Sequence, residues 1–137
     1  MIDLEGYVFD YVATATRSQF SGISVKAEYT PESAEMPCVT IEQKDNYVAK
    51  ANMSGERIEN VVSVMFEVNV YTNDGATRKK SAKSIMSYVD GLMSAKGFVR
   101  TMLQPIPNLL DATVYRLTAR YTARIAENST DYVIYTS

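Results

Sequence analysis

The chain has no histidine, no tryptophan and a single cysteine among its 137 residues. Without imidazole there is no Ser-His-Asp or Cys-His nucleophile pair, no His-ligated zinc, and no side chain that titrates near neutrality unperturbed. Any enzyme built on this sequence would have to use carboxylates, Lys or Tyr. The lone Cys38 excludes an internal disulfide and a thiolate cluster, and its place beside Pro37 at the start of an apolar run reads as a small buried side chain. Charge of one sign is also scarce. Lys and Arg number 14 against 16 Asp and Glu, a formal charge of -2 with a pI near 5.2. That excludes coating nucleic acid by bulk charge while leaving room for a local basic patch. No run approaches 18 apolar residues, so no membrane span is expected. The opening Met1-Ile2-Asp3-Leu4-Glu5 carries acids where a secretory signal carries cations. Neither G-x-G-x-x-G nor G-x-x-x-x-G-K-[ST] occurs among the six glycines. The N-x-[ST] tripeptides at Asn52 and Asn128 read as accidents of loop composition.

What is present suits one core: 46% hydrophobic and 22% charged residues in a length that buries about two-thirds of its unfolded surface. Leu4, Tyr7, Val8, Tyr11, Val12 and Ala15 stripe a helix over residues 3–17, with Asp3 as its cap. Ile23, Val25, Ala27 and Tyr29 alternate as a strand, and a second strand follows the 32–37 loop over 38–44, with Val39 and Ile41 on one face. Residues 45–60 lose the core pattern and predict a functional loop or a projecting hairpin. Val62, Val64, Phe66, Val68 and Val70 then share one face of a long central strand over 61–72. Ala82, Ile85, Met86, Val89, Leu92 and Met93 stripe a second helix, capped by Asn73 or Asp74 and closed by Lys96-Gly97. Gly91 inside it predicts the close approach of another element. A strand over 98–103 stops at Gln104-Pro105-Ile106-Pro107, and another over 113–125 alternates almost without fault. The expected fold is α+β: an antiparallel sheet with two helices on one face, a single domain over residues 1–126, and an arm or extra strand over 127–137.

No catalytic constellation emerges. Glu67 with Asn69, and Glu42 with Asp45, read as a solvated strand face and a loop end, and no cofactor or metal set can be assembled. Two basic groups stand out. Arg78, Lys79 and Lys80, with Lys83, occupy the first turns of the second helix, where positive charge opposes the macrodipole. They read as an exposed face or as a seat for acidic groups of another protein. Arg116, Arg120 and Arg124 recur every four residues on one strand and so share one sheet face, about 13 Å apart per pair. That face reads as solvated, or as one that meets a subunit or passing DNA. Ten tyrosines exceed what the core stripes need. Tyr47, Tyr71, Tyr132 and Tyr135, with the loop residues Lys50, Asn52 and Arg57, complete the candidate protein-contact set.

The opening helix, a strand, the Pro37-Cys38-Val39-Thr40-Ile41 strand, a long loop, the segment VSVMFEVNVYTNDGATRKKSAKSIMSYVDGLMSAKGF and the closing DATVYRLTARYTARI form an ordered pattern. From about residue 2 to 126 it resembles the tail terminator (tail completion) proteins of long-tailed bacteriophages. The segments that carry the likeness are Val70-Tyr71-Thr72, the helix ending at Gly97-Phe98, and the last Arg-x-x-x-Arg-Tyr strand. The Tyr132–Ser137 tail has no match in that pattern. The resemblance implies a non-enzymatic subunit of a hexameric ring at the head-proximal end of the tail tube. Such a ring stops tube polymerisation and offers the surface that joins the neck. Its partners would be copies of itself, the tail-tube protein and a neck or stopper protein, with DNA crossing the lumen without specific binding and no membrane contact. The protein would be made in the host cytoplasm and reside in the virion. Two other classes stay open: another head-tail connector, stopper or minor neck protein, and a small-ligand binder or carboxylate enzyme.

Overall fold

A computed structural model describes the backbone of residues 4–28, 35–48, 61–107, 113–128 and 131–135, and the side chains of 4–28, 35–44, 63–107 and 113–125. Helix α1 spans Glu5–Gln19 and buries Val8, Val12, Ala13 and Thr16 at helical spacing. Leu4 occupies its N-cap position, and Asp3, expected in that role, lies outside the described residues. Helix α2 spans Arg78–Ala95 and buries Ala82, Ile85, Met86, Val89 and Met93. A 3-10 turn over Gly75–Thr77 leads into it, so the helix starts later than the Asn73-Asp74 expectation. Its end is a Schellman turn: the Phe98 amide donates to the Met93 carbonyl, the Gly97 amide to Ser94, and Gly97 takes φ +93°. Gly91 is exposed and a Cβ there would meet nothing within 4 Å, so no element approaches it.

The strands are β1 Ser24–Lys26, β2 Cys38–Val48, β3 Val61–Thr72, β4 Val99–Ile106, β5 Tyr115–Asn128 and β6 Asp131–Tyr135. They form one sheet in the order β1-β2-β3-β5-β4, with β6 pairing β5 on the edge that β4 also uses. The fold is α+β, as the alternation of residue types implies, with β3 in the interior of the sheet. One pairing departs from the antiparallel expectation. β1 is only three residues long and runs parallel to β2, because the 27–37 connection, about a dozen residues, is long enough to return the chain to the same end.

Three strand ends also depart from the expected bounds. β2 continues past residue 44 into the segment read as a loop, through a bulge between Gln43 and Asp45 that absorbs Lys44. Residues 49–60 lie outside the described residues. β4 runs through Pro105, which an edge strand tolerates because the missing N–H is not needed inside the ladder. β5 extends to Asn128, beyond the boundary drawn at 126, and turns into β6.

Both helices cover one face. α1 packs on β1, β2 and α2, while α2 packs on β3, β4 and β5. Beneath them Val39 and Ile41 of β2, Val64, Phe66, Val68 and Val70 of β3, and Leu117, Ala119, Tyr121, Ala123 and Ile125 of β5 form a continuous buried cluster. Phe66 meets Phe98 edge to face at 5.6 Å between ring centres.

Candidate interaction face

The face of the sheet turned away from the helices is polar by residue type yet largely buried. Register aligns Cys38, Tyr71 and Arg116 in one row, Thr40, Asn69 and Thr118 in the next, and Glu42, Glu67 and Arg120 in the third. Thr40, Asn69 and Thr118 are all at or below 2% exposure although no helix covers them. Over Asn69 and Glu67 the cover is a pair of arginines, while the Thr40 hydroxyl is closed off without a hydrogen-bond partner. Arg116 Nε donates to Asn69 Oδ1 at 2.9 Å, and Arg120 Nε donates to Glu67 Oε2 at 3.0 Å. Asn69 Nδ2 donates to Glu67 Oε1 at 3.1 Å, and the Thr118 hydroxyl donates to Asn69 Oδ1. Arg116 also lies 3.9 Å from the Glu67 carboxylate and 5.7 Å above the Tyr71 ring. The long arginine stems thus lie along the sheet and shield its polar middle.

Glu67 is the anchor of this network. Burial pushes its carboxyl up, but hydrogen bonds from Asn69 and Arg120, with the charges of Lys44 and Arg120, outweigh that and hold it below the ordinary range. Glu67 and Asn69 are therefore not the solvated pair that their residue types suggest. Tyr71 is 4% exposed and packs with Cys38 and Val114, so it belongs to a small second core rather than to an open contact surface. Cys38 is buried as expected, and burial outweighs Ser24 and Lys26 to push its thiol up. Arg124 sits farther along β5 and has no ion-pair partner among the described residues. Its backbone position falls in one row with Tyr47, Ser63 and Tyr135, across four strands. Tyr132 pairs with Glu127 in the β5–β6 ladder. Lys50, Asn52 and Arg57 lie outside the described residues.

The whole face carries Lys26, Lys44, Arg116, Arg120 and Arg124 against Glu42 and Glu67 among the described side chains, in a chain whose net charge is negative. The other basic group is on the opposite, helical layer. Lys79, Lys80 and Lys83 are exposed on the first turns of α2, and Arg78 is half-buried with Nη1 donating to the Gly75 carbonyl at 2.8 Å. Beside them a half-open groove of about 600 Å³ has Phe20, Met36, Pro37 and Ile85 on its walls. Its carboxylate, Asp74, is held low by the hydroxyls of Ser81 and Thr77.

Two interactions escaped sequence reasoning. Asp90 accepts a hydrogen bond from the Tyr121 hydroxyl at 2.8 Å and pairs with Arg100 at 3.3 Å, tying α2 to the sheet. Burial first, and then the Asp90 carboxylate, push the Tyr121 phenol far above its ordinary value. Lys96 lies 4.8 Å above the Tyr11 ring and 5.7 Å above Tyr7, so the cation that closes α2 also clamps α1. The tyrosine excess was the available signal, and part of it serves this seam: Tyr11 Oη donates to the Leu92 carbonyl at 2.9 Å.

Chemically, the sheet network is a set of satisfied charges. No three acid or thiol groups converge to hold a cation among the described residues. No helix of the described residues is long and apolar enough to cross a membrane. Compared with protein-family models and with curated proteins, the sequence matches none.

Proposed function

We propose that the chain is the tail terminator subunit of a long-tailed phage or prophage, a structural protein that forms a hexameric ring on the head-proximal end of the tail tube. In this reading the ring stops tube growth, presents a surface to a neck or stopper protein, and lets DNA pass without specific binding. It is made in the host cytoplasm and ends in the virion. The observation that carries the reading is the order of elements: helix, strand, strand, a long connection, the long 61–72 strand, the 78–95 helix, an edge strand and the arginine strand succeed one another. That is the order on which the resemblance rests. The separation of charge supports it further, because a ring subunit must present different surfaces to neighbour, tube and lumen.

The test is genetic and structural. Deleting the gene from its phage is expected to give overlong tail tubes in electron micrographs, and tubes of normal length would exclude a terminator. Purified protein mixed with its tube protein is expected to appear as a six-fold ring at one tube end.

A further inference from the structure

The sheet changes width along its length. β1 covers β2 only over Cys38–Thr40, and β4 covers β5 only as far as Thr122. Beyond those limits β2, β3, β5 and β6 continue as a four-stranded ribbon. Among the described residues its two outer strands, β2 and β6, each pair on one side only.

The alternation of ladder bonds fixes which groups face outward. Asn128 and Asp131 close the β5–β6 hairpin across two residues, and such a closing pair exchanges both of its bonds. The N–H and C=O of Tyr132 and Ile134 then point out of the sheet. Carried across β5 and β3, the same alternation turns Asn46 and Val48 outward on β2. It also requires the Gln43 amide to point outward, and that amide donates to the Glu5 carboxylate at 3.0 Å.

The open edges differ in protection. β4 carries a bulge between Arg100 and Met102 and a proline at 105, and β2 next to the helix is capped by Glu5. β6 pairs without a register shift and contains no proline. The ribbon also has an even number of antiparallel strands. A second copy laid alongside in the same orientation therefore brings its β2 antiparallel to β6 of the first.

We propose that copies of this chain join head to tail, β6 (Asp131–Tyr135) of one pairing with the β2 end (Asp45–Val48) of the next, so that the ribbons merge into one sheet. One contact consumes both open edges, and repeated around an axis it closes a ring. This deepens the ring reading by naming its contact, and rests on that reading only for the count of six.

Hydrogen exchange on the purified full chain, read with sedimentation over a range of concentrations, tests it. The expected result is self-association in which amides of 45–48 and 131–135 gain protection together. Ile134→Pro removes one outward donor while sparing the bonds to β5, and should weaken association by the order of tenfold, the worth of one ladder bond. A chain that stays monomeric at its highest soluble concentration overturns the proposal, as do assemblies whose two edges exchange as in the monomer. If Ile134→Pro does not fold, exchange on the unaltered protein decides. Six-fold rings with freely exchanging edges would remove the joint and keep the ring. Protected edges in dimers or open filaments would keep the joint and remove the ring reading.

Discussion

The two faces of the sheet bury their side chains by different chemistry. Under the helices, Phe66, Val68, Ala119 and Tyr121 are closed off by apolar packing from a second layer. On the other face Asn69 and Thr118 reach the same degree of burial with no second layer, within a network that Arg116 and Arg120 close through Asn69 and Glu67. The first face is held by area removed from water and tolerates any well-shaped apolar group. The second is held by a chain of partners, so each member matters through what it leaves unpaired.

Truncation separates these mechanisms. Phe66→Ala should be the most damaging single change, costing about 3–5 kcal/mol in chemical denaturation, because it empties a ring-sized space against Phe98. Glu67→Ala should cost less, about 1–3 kcal/mol, since the released arginines are partly exposed and regain water while Asn69 loses its acceptor. Gly91→Ala should stabilise by about 0.5–1 kcal/mol, because the site is helical and a Cβ meets nothing. Arg124→Gln, on the same face as Arg116 but without an ion pair among the described residues, should change the melting free energy by no more than about 0.5 kcal/mol. A large loss there would mean that the arginine strand acts as one unit.

Acid sharpens the contrast. The native Glu67 carboxyl sits below its unfolded value, so its contribution is fully present above the ordinary carboxylate range and is lost as pH falls through the lowered native value. Stability of the unaltered protein should decline on that limb. In Glu67→Gln the decline should be shallower, while Phe66→Ala should lower the whole curve without changing its slope. Parallel acid limbs for the unaltered protein and Glu67→Gln would place the acid sensitivity elsewhere.

How much of this could be read in advance follows the same division. Alternation in β3 and β5 identifies the apolar face, since Val, Phe and Ala at every second position have one stable location. Glu67, Asn69 and Arg120 give no such signal. The same residue types stand on a solvated face or pair with one another, and the choice depends on register between residues 47 to 53 positions apart. Its place among polar neighbours predicts Tyr71 as an outward contact, but Cys38 and Val114, brought in by β2 and by the turn before β5, enclose it. Pro105 predicts an earlier end to β4 than the structure has, because proline breaks a strand only where the amide is needed and β4 lies at an edge. The basic start of α2 was legible as exposed, while the hold of Lys96 on Tyr7 and Tyr11 required two helices to be placed first.

The bulge at Lys44 sets the parity of everything beyond it. With one residue looped out, the tip of β2 is counted in even steps, so Asn46 and Val48 rather than Asp45 and Tyr47 hold the bonds that leave the sheet. Deleting Lys44 would remove only the residue that has no partner on β3: Asp45 would still face Met65, Asn46 and Val48 would still point out, and the strand would lose the bend and added twist of the bulge. A single looped-out residue thereby moves the outward row from odd to even numbers while leaving the row itself in place.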